Sequence, residues 1–140
     1  AFLFVRVGLS GADMGACQLL PRIVGLGRAS EILMRGEFMS SEECLRIGLA
    51  NRVFADAQFR EGVAEYAYEL ACGPAFGLAM TKEMLEREYT MDMATAIEAE
   101  AQAQAICMGH TDFLESYNAW NEKRPMHFDG APGPFGAKRK

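Results

Sequence analysis

The sequence is short of the residues that build metal centres and disulfide frameworks. It has two histidines, His110 and His127, and four cysteines, Cys17, Cys44, Cys72 and Cys107, irregularly spaced and with no Cys-x-x-Cys. That pattern suits reduced, buried thiols in a cytoplasmic protein rather than a stapled secreted domain or a zinc site. Basic clusters are also scarce: only Lys138-Arg139-Lys140 gathers cations, and the net charge is −5. A nucleic-acid-binding surface needs clustered Lys and Arg, so that class is excluded. No apolar run reaches the ~18 residues of a membrane span. The opening apolar stretch is brief and runs straight into a structured pattern, which is not the layout of a signal peptide.

What is present is a chain able to bury a core. Half of the 140 residues are hydrophobic and 24% are charged, a balance that argues for a folded domain and against disorder. The chain opens on Ala1 inside an apolar run, with no turn or cap ahead of it, and is therefore expected to be a fragment. Phe2 to Gly8 is rich in β-branched and aromatic residues and predicts a strand. Leu9 to Gly15 reads as a turn, followed by a helix to Val24 interrupted or kinked at Pro21. Gly25 and Gly27 punctuate the chain before a helix over Arg28–Arg35 that closes at Gly36.

Ser40 with Glu43 three residues later is a capping box, opening a helix to Ile47 that Gly48 stops. Asn51 to Phe54 predicts a second strand. Phe59, Val63, Tyr66, Ala67 and Leu70 recur at helical spacing within 58–71. Beyond the Gly73-Pro74 break, helices are predicted over 76–88, 93–108 and 112–123, then an irregular Gly/Pro-rich tail over 130–136. Glu98 with Gln102, and Glu100 with Gln104, each lie one turn apart and can stay on polar faces. The alanines between 94 and 105 permit close helix packing. No internal repeat is present.

In order, these segments resemble one family. Val7-Gly8-Leu9, Gly15 and Leu20-Pro21-Arg22-Ile23-Val24-Gly25 are followed by Ala29-Ser30-Glu31, Arg35-Gly36 and Ser41-Glu42-Glu43. Then come Gly48-Leu49-Ala50-Asn51-Arg52-Val53, Gly73-Pro74, Thr81-Lys82 and Glu98 to Gln104. Asp112, Glu115, Asn121-Glu122-Lys123-Arg124-Pro125, Phe128 and Gly130 complete the series. Their joint order resembles the C-terminal half of the crotonase family, the enoyl-CoA hydratase/isomerase group. The resemblance implies an α/β, crotonase-like (ClpP/crotonase) fold: the end of a spiral of β-β-α units over 1–72, a helical trimerisation region over 73–129, and a tail over 130–140. It implies acyl-CoA substrates and assembly as a trimer or dimer of trimers. No cofactor is expected beyond the coenzyme A carried by the substrate. The family's first half, which supplies the oxyanion-hole N–H groups, is expected to lie outside this sequence, in the same protein or a separate chain.

The family chemistry needs an acid/base beside the acyl chain, and a carboxylate in a partly dehydrated pocket suits that role. In the hydratases one such glutamate lies four residues before the strand-ending glycine. Here that position is Phe4, so simple two-glutamate hydration is in doubt. Asp13 is the substitute: in dienoyl-CoA-isomerase-like members an aspartate follows the strand glycine in the same loop, one residue nearer than here. Asp13 equally suits capping of a helix that begins at Met14. Gly8, Gly11 and Gly15 are either sites where the backbone approaches the acyl chain or ordinary turn glycines. Trp120 and Lys123 are candidate CoA contacts, through stacking and phosphate pairing, or else helix packing and surface charge. Lys82 is read as surface charge and Arg6 as a solvated or sheet-face residue. His110 and His127, without partners close in sequence, are read as structural or exposed. Two hypotheses follow: part of an acyl-CoA hydratase/isomerase with Asp13 as acid/base, or a non-catalytic crotonase-like assembly or interface module.

Overall fold

The computed structural model describes residues 3–136, and the chain divides into two compact units that part between Gln58 and Phe59. The first unit holds α1 (Ala16–Val24), α2 (Leu26–Arg35) and α3 (Ser41–Arg46). The second holds α4 (Phe59–Ala71), α5 (Ala75–Arg87), α6 (Met93–Met108) and α7 (Thr111–Glu122). Ala1, Phe2 and the basic cluster Lys138-Arg139-Lys140 lie outside the described residues.

In the first unit α1 and α2 are separated by Gly25 alone, at φ 80° and ψ 155°. Only glycine adopts that geometry without strain, and it lets the two helices fold directly against each other. Leu20 of α1 packs with Ala29, Ile32 and Leu33 of α2, and Ala16, Val24, Met39, Ile47 and Leu49 close around them. Ala29 is 1% exposed, because a methyl side chain is what permits the close approach of the helix axes. Pro21 sits inside α1, and the helix continues to Val24. Gly36 ends α2 in the left-handed region at φ 59°, its N–H donating to the Ile32 carbonyl. Ser40 caps α3 by accepting from the Glu43 N–H at 3.2 Å. Glu43 itself turns to Arg46 rather than back to Ser40.

Both expected strands are corrected. Leu3–Val7 forms a 3-10 helix, with the Gly8 N–H donating to the Val5 carbonyl at 3.2 Å and Leu9 to Phe4 at 2.9 Å. Residues 51–54 carry no regular structure, and no strand occurs among the described residues. A strand is completed only by a neighbouring strand's N–H and C=O groups, so β-propensity in these segments finds nothing here to pair with. Arg6 is tied to the end of α2 instead of facing a sheet. Its Nε donates to the Gly36 carbonyl at 3.0 Å, and its guanidinium meets Glu37 at 3.1 Å.

In the second unit α5 packs on α6 and α6 on α7, with Cys72, Ala103, Ala119 and Phe128 buried. Asp92 caps α6, accepting from the Thr95 N–H at 3.0 Å. Gln102 donates to Glu98 at 3.0 Å, closing one of the two polar pairs expected along that helix. Residues 130–136 form no helix or strand but are tied to the unit: Met126 and Phe135 form an antiparallel bridge, Tyr68 of α4 donates to the Pro132 carbonyl at 3.2 Å, and the Phe128 and Phe135 rings lie 6.0 Å apart. Of the four free cysteines only Cys72 is buried; Cys44 and Cys107 are half-buried and Cys17 is exposed. That corrects the expectation of four buried thiols. No helix among the described residues is long and apolar enough to cross a membrane.

Candidate functional site

The residues singled out in the sequence fall into two groups. Gly8, Gly11, Asp13 and Gly15 all belong to the loop that joins the 3-10 segment to α1, in the first unit. Trp120 and Lys123 belong to the C-terminal end of α7, in the second.

Three glycines shape the loop, in two ways. Gly8 and Gly15 stand at φ 79° and 83°, a region open to glycine and strained for other residues. Gly11 has ordinary dihedrals but is buried against α2: a Cβ there would stand 2.7 Å from the Leu33 carbonyl oxygen. The loop is thus pressed onto α2 at one point, and only a residue without a side chain fits. Met14, at φ 46°, is a rare non-glycine in the left-handed region and is 92% exposed. Such backbone costs on the order of 1 kcal/mol and is typical of loops whose shape matters more than their comfort.

Asp13 lies between the pressed point and the two left-handed residues, and it is exposed. Its capping role is corrected. α1 begins at Ala16, its N-cap is Gly15, and no side chain closes it. The Asp13 carbonyl, not its carboxylate, accepts the Ala16 N–H, at 2.8 Å. The carboxylate is therefore left free of the helix terminus.

Beside the loop is an open cavity of about 370 Å³. Ser10, Gly11 and Ala12 of the loop form one wall, and Leu26, Leu33 and Met34 of α2 another. None of its lining residues is charged, so it is suited to an apolar group, as small-molecule sites generally are. The α2 wall was not anticipated from sequence. Leu26, Ser30, Leu33 and Met34 recur at helical spacing on one face, a signal that also fits ordinary core packing.

At the end of α7, Trp120 is 78% exposed, and Phe113, Leu114 and Tyr117 of the same helix are exposed as well. Lys123 terminates the helix in the left-handed region at φ 53°, its N–H donating to the Ala119 and Trp120 carbonyls. Arg124 next to it grips Glu115, with Nη2 to Oε2 at 2.8 Å. The His127 N–H donates to the same carboxylate at 2.8 Å. The Arg124 guanidinium first, and then that N–H, hold the Glu115 carboxyl down at about 2. This clamp fixes the backbone on either side of Pro125, just after Lys123. Lys82 is exposed on α5. His110 has a structural role: it caps α7 by accepting from the Asp112 N–H at 3.3 Å and stacks on Phe76, centroids 4.3 Å apart. A second, larger concavity of about 700 Å³ lies between α5 and α6, lined by Met80, Met84, Ile97, Glu88 and Glu100 among others. It contains none of the candidate catalytic or substrate-binding residues Gly8, Gly11, Asp13, Gly15, Trp120 and Lys123. Among the described residues no group of three or more His, Cys, Asp or Glu side chains is placed to hold a metal ion.

Residues 2–131 match the sequence profile of one family, enoyl-CoA hydratase/isomerase. A relative in Rhodobacter capsulatus, named a probable enoyl-CoA hydratase, is 33% identical over 127 residues, covering 91% of this chain and 49% of its own length. The 1,2-epoxyphenylacetyl-CoA isomerase of Escherichia coli is 29% identical, with 91% of this chain and 48% of that protein covered. A crystal structure from Streptomyces coelicolor A3(2), provisionally assigned as an enoyl-CoA hydratase, superposes with a TM-score of 0.88 at 45% identity. That match covers 93% of this chain and 47% of the other. The chain spans about half the length of the relatives it matches.

Proposed function

The chain belongs to the enoyl-CoA hydratase/isomerase family, and from that premise we propose that it is the C-terminal half of an enzyme acting on enoyl-CoA thioesters, with Asp13 as the acid/base. The observation that carries this reading is the freedom of the Asp13 carboxylate. It is exposed on a loop whose backbone is held on both sides, and it is not consumed in capping α1. A carboxylate kept available in this way is suited to exchange a proton with the acyl chain near Cα or Cβ.

The other half of the enzyme supplies the N–H groups that bind the thioester oxygen as the enolate develops. Preorganised donors of that kind contribute a large share of such rate enhancements, so the 140 residues by themselves are expected to be inactive. The apolar cavity beside the loop suits an uncharged acyl group. Gly8 and Gly15 give the loop its course, and Gly11 its seat on α2. Exposed Trp120, followed by Lys123 at the helix end, suits an adenine ring and a phosphate of coenzyme A. The helical region over 73–129 is assigned to contacts between copies in a trimer or dimer of trimers.

The substrate is an enoyl-CoA and the reaction is isomerisation or hydration at its double bond. Phe4 in place of a second carboxylate favours isomerisation, which needs one group to move a proton, over hydration by paired carboxylates. The same Phe4 also supports a second reading, a non-catalytic module that serves assembly. In the full-length natural protein, Asp13→Asn keeps size and polarity and removes the base. Turnover of enoyl-CoA is expected to fall by roughly 100-fold or more with KM little changed. Unchanged turnover would remove Asp13 from the chemistry, and a wild-type protein inactive on every enoyl-CoA tested would favour the assembly module.

A further inference from the structure

The cavity beside the Asp13 loop is apolar at its floor and at its rim, with a hydroxyl between the two. Ala29 and Leu33 of α2 are buried and form the floor, while Leu26 and Met34, 72% and 74% exposed, stand at the rim. Ser30 lies one turn after Leu26 and one turn before Met34, half-buried and lining the same cavity. A serine or threonine inside a helix can turn its hydroxyl back to the carbonyl four residues earlier. Thr81 does so, donating to the Gly77 carbonyl at 2.8 Å. The Ser30 hydroxyl makes no such bond, and among the described residues it has no hydrogen-bond partner. Its oxygen is not shut off from solvent, and the space beside it is the cavity. On the loop wall, the Ser10 hydroxyl accepts from the Ala12 N–H at 3.0 Å and keeps its own hydrogen to donate.

A plain alkyl chain entering this cavity would strip water from the Ser30 hydroxyl and offer it nothing in exchange. A hydroxyl left unpaired away from water is costly, whereas one that meets an acceptor gives a net gain. We propose that Ser30 is a specificity-determining residue: it donates a hydrogen bond to an oxygen carried part-way along the acyl chain, so the substrate is an oxygen-bearing enoyl-CoA. This deepens the reading of the chain as half of an enoyl-CoA enzyme and rests on it. The lining holds no charged residue, so a carboxylate or ammonium on the chain would be buried without a counter-charge. A neutral acceptor, an ether, hydroxyl or ketone oxygen, is what fits. Because Ser30 lies between floor and rim, that oxygen belongs in the interior of the chain and not at its far end. Asp13 is outside this lining, so recognition of the chain and proton transfer fall to different residues.

The test uses the full-length natural protein and straight-chain enoyl-CoAs of one length, in which single methylenes beyond Cγ are replaced in turn by an ether oxygen. An ether accepts and cannot donate, so it reads only the donors of the cavity. The kcat/KM relative to the all-carbon chain is expected to peak at one oxygen position. Ser30→Ala is expected to lower that peak ratio by about 3–10-fold, with the ratios at the other positions staying where they are. Alanine forms helix more readily than serine, so α2 is expected to survive the change. Equal ratios at every position would overturn the proposal. So would a Ser30→Ala protein that loses the same factor on every chain, which is what a merely structural serine gives. A peak that Ser30→Ala spares and Ser10→Ala removes would assign the donor to the loop and overturn the role of Ser30. Turnover of the all-carbon chain with ratios indifferent to Ser30→Ala would keep the enzyme reading and remove this one. A wild-type protein inactive on every chain would remove the enzyme reading itself, and this one with it.

Discussion

Replacing Gly11 by alanine tests whether the Asp13 loop is seated on α2 as described. Gly11 does not need glycine for its dihedrals, so the whole effect is steric. The added Cβ would lie 2.7 Å from the Leu33 carbonyl oxygen and 3.3 Å from both its carbonyl carbon and its Cβ. Backbone of a helix cannot rotate aside as a side-chain tip can, so the loop must lift by about half an ångström or more. Overpacking of this kind costs about 1–3 kcal/mol. Against it, alanine restricts the unfolded chain and returns about 0.4–1 kcal/mol. The net expectation is destabilisation by about 1–2 kcal/mol, or a urea midpoint lowered by roughly 0.5–1 M at ordinary m-values for small proteins. Gly27→Ala is the counterpart of opposite sign. Gly27 lies in α2 with nothing within 4 Å of the added Cβ, so the helix is expected to gain about 0.5–1 kcal/mol. Both are read by circular dichroism at 222 nm in urea. A Gly11→Ala protein as stable as wild type would mean that the loop is not pressed onto Leu33, and the geometry assigned to Asp13 would fall with it.

Two further outcomes follow from the second unit. Glu115, held at about 2 by Arg124 and by the His127 N–H, has a folded value below its ordinary 4.5. Its contribution to stability is therefore complete above pH about 4.5 and is lost as pH falls from there towards about 2. A 13C titration of the Glu115 side chain should show the depressed midpoint, and Glu115→Gln should flatten the acid limb of stability over that window. Asp92→Ala removes the cap from α6, where the carboxylate accepts from both the Thr95 N–H and its hydroxyl. About 1 kcal/mol should be lost, whereas Asp92→Asn should retain most of it; thermal melts of the two variants decide the point.

The helices were legible because their signals are local. Ser40 meets the Glu43 N–H three residues away, Gly36 ends α2 with its own dihedrals, and the expected 93–108 helix is α6 to the residue. The family too was legible, from the order of short motifs spread over a matched region of residues 2–131. What misled was β-propensity at 2–8 and 51–54, since a strand exists only when a second strand supplies its hydrogen bonds.

The placement of Asp13, Gly11 and Arg6 was decided only by tertiary structure. Whether Asp13 caps α1 depends on where the helix begins, and two left-handed residues in succession, Met14 and Gly15, move that start to Ala16. That Gly11 touches Leu33, and that Arg6 binds the carbonyls of Arg35 and Gly36, are contacts between residues more than twenty positions apart. No local pattern encodes such contacts, because they arise when packed helices bring distant backbone together. The sequence by itself determined the helices and the family; the folded chain alone determined which of the loop's residues are spent on structure and which remain free.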